Sequence, residues 1–227
     1  MNIFFSELIG TALMLLFGGG VVANVLLEKT KEAQGGWLVI TLGWALAVFV
    51  GVYSSVHLGG QGHLNPAVSI AMLSLGKIAS TDLLYYVSAQ FAGAMIGATL
   101  VWLLYYPHFA ITQNADFKLG VFCTAPAQRN TIHNLISETI GTFALVFGAL
   151  CISPAAGKMG SMDALPVSLL VLGIGLCLGG PTGYGINPAR DLGPRIMHFL
   201  LPIAGKRDSD WAYSWIPVVG PIAGALL

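Results

Sequence analysis

Apolar residues run in long blocks along this chain, and short polar segments break them up. The blocks predict membrane-crossing helices at about 3–27, 37–57, 83–105, 135–152, 164–178 and 211–227. A helix needs ~20 residues to cross a hydrocarbon core of ~30 Å, and these lengths are of that order. Polar breaks fall at 28–36, 77–82, 153–163 and 202–210, and a long polar connection occupies 107–134. Two shorter apolar runs stand apart. They end near Gly76 and Leu201, and each begins with the same triplet, Asn65-Pro66-Ala67 or Asn187-Pro188-Ala189. Asn is favoured at a helix N-cap and Pro at the first helical position, where its missing N–H would be unpaired anyway. Each triplet therefore predicts a helix that starts where a loop ends. From Pro66 to Gly76 such a helix rises ~16 Å, about half of the hydrocarbon core.

The pattern occurs twice. Ser6-Glu7-Leu8-Ile9-Gly10-Thr11 matches Ser137-Glu138-Thr139-Ile140-Gly141-Thr142 at five of six positions. The Asn-Pro-Ala triplets follow in both halves. Gly93, Gly97, Ala98 and Leu100 then match Gly220, Gly224, Ala225 and Leu227. The three matches keep their order at offsets of 131, 122 and 127. Each half holds three full spans, an odd number, so the second half enters the membrane from the opposite side. The expected fold is an all-α membrane protein with six transmembrane helices and two re-entrant half-helices in an inverted three-plus-three repeat. It forms one channel domain over 1–227: repeat one at about 1–106, repeat two at about 134–227, and an extramembrane loop at 107–133 between them.

Composition agrees with a membrane assignment. Charged residues make up 9% of the chain, against ~25% in soluble domains, and the mean hydropathy is +0.78. Ten basic and ten acidic residues balance, and no basic patch points to nucleic acid. No Lys or Arg precedes the first apolar block, which carries Glu7, so no cleaved signal peptide is expected. Cys123, Cys151 and Cys177 have no metal-site spacing; two lie in apolar blocks and read as buried thiols. His57, His108, His133 and His198 share no ligand spacing, so neither a metal nor a cofactor is expected.

In an inverted repeat the half-helices enter from opposite faces and meet near the middle, triplet to triplet. Glycine-rich stretches, Gly59-Gly60-Gln61-Gly62 and Gly179-Gly180-Pro181-Thr182-Gly183, precede the triplets. Loop backbone at that depth is tolerated where protein or a water-filled cavity satisfies it. A pore follows, lined by carbonyls of Gln61, Gly62, His63, Gly183 and Gly185. Asn65 and Asn187 sit at its centre, and Leu64 and Ile186 form an apolar wall opposite their amides.

Two Asn-Pro-Ala half-helices, the Ser-Glu-x-Ile-Gly-Thr repeat, His63-Leu64 before the first triplet and Arg190 after the second resemble the aquaporin (major intrinsic protein) family over essentially the whole chain. Asp191 after Arg190, Arg195 four positions later, and Pro217-Val218 in the last span resemble its glycerol-facilitator branch. The resemblance implies a narrowest point at Trp44, Gly175, Tyr184 and Arg190. Trp44 and Tyr184 would form an apolar corner for a carbon backbone, and Arg190 a fork of donors for hydroxyl oxygens. Gly175 would leave room where water-selective members usually place His. Tyr184 stands where many bacterial glycerol channels have Phe. The resemblance further implies a homotetramer in the lipid bilayer, a cell-membrane location, and passage of glycerol and water with exclusion of ions and protons.

A charge within the membrane costs about 2.5–3.5 kcal/mol even on insertion scales, which favours a pore-lining role for Arg190. Asp191 reads instead as a tie between loop and helix ends. Glu7 and Glu138 are repeat equivalents, so they read as acceptors for the two re-entrant loops rather than as a catalytic pair. The sequence lacks Gly-x-Ser-x-Gly and His-Glu-x-x-His, and an enzyme is not expected. A coupled transporter also has broken helices at the midplane but needs a coupling-ion site, and no acidic residue clearly lines the pore. Water, urea or a protonated small acid such as lactic acid would meet the same filter as glycerol. The family places both termini in the cytoplasm, with any tail beyond Leu227. Inner loops then hold Lys77 and Lys158, and outer loops Lys29, Lys31, Lys118, Arg129, Lys206 and Arg207. Counted alone, those charges favour the reverse orientation.

Overall fold

The structure is a computed structural model that describes residues 2–152 and 160–227. Among these residues every regular element is helical. Four helices are long enough on their own to cross a membrane: α1 (Ile3–Leu26), α2 (Gly36–His57), α4 (Ser80–Leu104) and α7 (Thr131–Ile152). A fifth, α8 (Ala164–Cys177), reaches that length with the 3-10 turn Gly160–Asp163 that leads into it. Of the expected loop at 153–163, residues 153–159 with Lys158 lie outside the described residues. Two short helices, α3 (Pro66–Ser74) and α9 (Pro188–Leu200), begin at the Asn-Pro-Ala triplets.

Local chemistry sets the ends of α3. Asn65 is its N-cap in extended geometry, and its side chain accepts from the Ala67 amide at 2.9 Å. The helix stops at Ser74, two residues short of Gly76. Gly76 has φ +67, and the Lys77 amide bonds back to the Met72 carbonyl at 2.8 Å. This left-handed glycine turn closes the last carbonyls of a helix.

Two expectations need correction. The connection at 107–134 is not a plain polar loop. It contains α5 (Tyr106–Ile111) and α6 (Ala115–Gly120), and α7 starts at Thr131 inside the expected connection. Asn114 caps α6, accepting from the amides of Asp116 and Phe117 at 2.9 and 3.3 Å. The last span does not start at Trp211. Turn bonds from Tyr213 to Asp210 and from Ile216 to Tyr213 hold residues 211–215, and α10 runs over Ile216–Leu226. Pro217 lies in its first turn, where no amide is needed.

The helices pack in matching pairs. α1 lies against α4, and α7 against α10. A Cβ added at Gly93 or Gly97 of α4 would stand 2.4 Å from the Leu8 carbonyl or 2.5 Å from that of Ala12. At Gly224 of α10 it would stand 2.1 Å from the Thr139 carbonyl. Only glycine allows backbones this close. α3 packs on α10 and α9 on α4, so each half-helix leans on a helix of the other half. Outward faces are apolar, as Leu38, Leu42 and Leu46 of α2 show. That corrects the cysteine reading. Cys151 and Cys177 are exposed on this outer surface, while Cys123 of the polar connection is buried. In a bilayer an apolar block has no need to face inward.

Candidate pore

Both re-entrant loops hang from a buried carboxylate. Glu7 accepts from the amides of His63 and Leu64 at 2.9 and 2.7 Å. Glu138 accepts from Gly185 and Ile186 at 2.9 and 2.7 Å. In each loop these are the two residues before Asn. Leu64 and Ile186 have φ of +50 and +41, and Gly62 and Tyr184, three before each Asn, have +68 and +40. A side chain at positive φ costs about 1–3 kcal/mol and persists only where its surroundings enforce it. Two fixed amide–carboxylate bonds per loop supply that constraint.

The loops meet through their asparagines. The Asn65 amide donates to the Ile186 carbonyl at 2.8 Å, and the Asn187 amide donates to the Leu64 carbonyl at 2.8 Å. The carbonyl of Asn187's side chain accepts from Ala189 and Arg190 at 3.0 and 3.1 Å. Such reciprocity, residue i to j and j to i, is what a two-fold relation between the halves produces. An amide nitrogen carries two hydrogens, so each Asn keeps one donor beyond the cross-bond.

A cavity of about 830 Å³ runs past this junction. Gln61, Gly62, His63, Leu64, Asn65, Gly185, Ile186 and Asn187 line its middle, and Lys77 and Asp163 line one end. Trp44, Tyr184 and Arg190 line the other. The Arg190 guanidinium lies over the Trp44 ring, 4.2 Å from its centroid. Among the described residues no side-chain hydrogen bond or ion pair engages that guanidinium, so its donors are available to whatever occupies the cavity. Stacking on an indole holds a cation without using its N–H groups.

Gly175 and Gly183 are not among the lining residues. The room at Gly175 is taken by Tyr184: a Cβ there would stand 2.9 Å from the Tyr184 Cζ and 3.0 Å from Thr41. Gly183 faces Thr124 instead, 3.4 Å from where its Cβ would be. His63 lines the cavity but stacks on Tyr86 at 4.5 Å, with Nδ1 3.1 Å from the Ser69 hydroxyl.

The Major intrinsic protein profile matches residues 1–227. The chain is 50% identical to a probable glycerol uptake facilitator protein of Thermotoga maritima, over 100% of this chain and 96% of that one. It is 51% identical to a glycerol uptake facilitator protein of Streptococcus pneumoniae, with the same coverage. The chain belongs to the major intrinsic protein family. The solved structure of the aquaglyceroporin from Plasmodium falciparum resembles it with a TM-score of 0.87 at 31% identity, covering 99% of this chain and 91% of that one. As a major intrinsic protein it is a multi-pass membrane channel and not an enzyme.

Within this family fold, one group of contacts is only partly signalled in the sequence pattern. Asp191 does not pair with neighbouring Arg190. It accepts from the Thr124 amide and hydroxyl at 2.7 and 2.6 Å and pairs with Arg195 at 2.8 Å. Arg195 is fully buried, and its remaining donors reach the carbonyls of Thr124, Ser209 and Asp210 at 2.9, 2.7 and 3.1 Å. The Ala127 amide donates to the Pro181 carbonyl at 2.9 Å. The connection at 121–130 thus reaches in and clamps the second loop. Gln90 plays the comparable part for the first loop, donating to Glu7 at 2.8 Å and Ser69 at 3.0 Å. The sequence reading of Asp191 as a tie named no partner; Arg195, Thr124 and Gln90 supply the contacts, and Thr124 and Gln90 carry no local signal.

Proposed function

We infer that this chain is a passive channel for glycerol and similar small uncharged solutes, with water passing along the same path and ions and protons excluded. The observation that carries the reading is the reciprocal pair of Asn amide bonds beside a cavity that Trp44, Tyr184 and Arg190 also line. Each half-helix adds roughly +0.5 charge at its N-terminus, and the two N-termini face the junction. Arg190 adds a full charge nearby, which opposes cations. The second hydrogen of each Asn amide donates to a solute oxygen at the centre. An oxygen that accepts from both amides must donate outward to either side, and that breaks a continuous proton wire.

Along Trp44, Tyr184 and Arg190 the indole and phenol rings form an apolar corner for carbon, and the free guanidinium donors serve hydroxyl oxygens. This is the pairing a polyol needs. Gly175 contributes by leaving the Tyr184 ring its place. The relatives named for glycerol uptake support the same solute. The same proposal has both termini of this membrane protein in the cytoplasm and the chain as a homotetramer in the cell membrane with one pore per subunit. Stopped-flow swelling of proteoliposomes with glycerol, urea, lactic acid at low pH, and water tests the solute. Glycerol flux well above that of empty vesicles is expected; acceleration of lactic acid or water alone overturns the assignment.

A further inference from the structure

We propose that Trp37, outside the cavity, is a positioning residue that sets the width of the opening at Trp44 and Arg190 by holding Tyr184 in place; this rests on the channel reading above. Tyr184 occupies a left-handed backbone position, φ +40, whose equivalent in the first loop is Gly62. A tyrosine there needs something to hold it. Its hydroxyl has no hydrogen-bond partner among the described residues, so packing alone fixes the ring. The ring rests on the end of α8 and the glycine loop that follows it: a Cβ at Gly175 would stand 3.1 Å from the Tyr184 hydroxyl, and one at Gly179 would stand 2.6 Å from its Cδ1.

Trp37 completes the packing around that ring. Its ring meets the Tyr184 ring edge to face, with centroids 5.8 Å apart and planes at 85°. It also laps Gly179, where a Cβ would stand 2.9 Å from the Trp37 Cζ2. The Trp37 indole N–H donates to the Gly175 carbonyl at 3.1 Å, tying the first turn of α2 to α8. Trp37 remains 42% exposed and is not among the lining residues, so it acts on the solute only through Tyr184. Trp44 and Arg190 are fixed to each other by stacking. The adjustable side of the opening is therefore Tyr184, and the Trp37 bracket decides how far it stands off.

The test compares fluxes of water, glycerol and the four-carbon polyol erythritol in proteoliposomes carrying wild-type, Trp37→Ala, Trp37→Phe, Tyr184→Ala and the Trp37→Ala/Tyr184→Ala double variant. With the brace removed, the Tyr184 ring swings outward. The erythritol-to-glycerol ratio is expected to rise about fivefold in Trp37→Ala, the size of a typical coupling between side chains in contact. Trp37→Phe keeps the ring contact and loses the N–H, and should rise less. In the Tyr184→Ala background the Trp37 substitution should leave the ratio unchanged. A purely structural Trp37 would lower all fluxes together with the amount of folded protein, at constant ratio, and that result overturns the proposal. So does an equal shift with and without Tyr184. Failure of the wild type to conduct glycerol overturns the channel reading itself and takes this proposal with it.

Discussion

The two re-entrant loops share one skeleton and differ in what braces it. Both place two amides on a buried carboxylate and end in an Asn that bonds across to the other loop. The first loop is braced from within the membrane by side chains of the long helices, Gln90 and Ser55, together with Ser69 of α3. The second is braced in part from outside, by Thr124 of the connection, and otherwise by the Asp191–Arg195 pair of α9 and by Trp37 of α2. The shared parts make the junction on the proposed solute path. The unshared parts surround Tyr184 and Arg190, where the proposed channel would tell solutes apart. On that reading selectivity sits in the half whose loop is tied to the connection and to α2 of the other half.

Removing one support at a time separates the loops. Arg195→Met should have the largest effect, about 3–5 kcal/mol of lost stability, because it leaves Asp191 buried with its cation gone. Thermal unfolding in detergent measures it, and Thr124 should lose protection from hydrogen exchange while His63 and Leu64 keep theirs. Next comes Glu7→Ala, at about 2–3 kcal/mol, which orphans two amides and takes one of the two acceptors from Gln90. Glu138→Ala should cost less in the same assay, because the connection still holds its loop. Equal losses would break the distinction between inner and outer bracing.

Gly175→His should lower glycerol flux about tenfold and water flux less, the scale of a tight pocket that loses its fit. A side chain at Gly175 has to push the Tyr184 ring toward the opening. Paired swelling measurements with and without glycerol report the ratio. Tyr184→Phe is expected to be the smallest, with little change in stability, because the hydroxyl it removes has no partner among the described residues. A large loss of stability would show that the hydroxyl is held after all.

Much of this arrangement is legible in the sequence because it is repeated and locally encoded. Asn before Pro announces a helix start, and the Ser-Glu-x-Ile-Gly-Thr match pointed to Glu7 and Glu138 as equivalents. What escaped depends on contacts between distant segments without a period. Thr124 sits in a polar connection that looks like solvent-exposed loop, and only its bonds to Asp191 reveal it as a support. Trp37 is seven residues from Trp44 on the same helix, and nothing in that spacing says that it reaches Gly175. The start of α10 was misplaced because Trp211–Trp215 is apolar enough to read as helix, while bonds back to Asp210 and Tyr213 hold it in turns. Composition also misled on Cys151 and Cys177, since lipid rather than protein meets those faces.

The most direct test of the central claim follows glycerol and protons in the same vesicles. Proteoliposomes loaded with a pH-sensitive dye are given an inward glycerol gradient and then a pH step. The account predicts glycerol entry far faster than in protein-free vesicles, running to equilibrium without accumulation, and a proton leak equal to theirs. Glycerol entry at the protein-free rate, or a dye response that scales with protein, would contradict it.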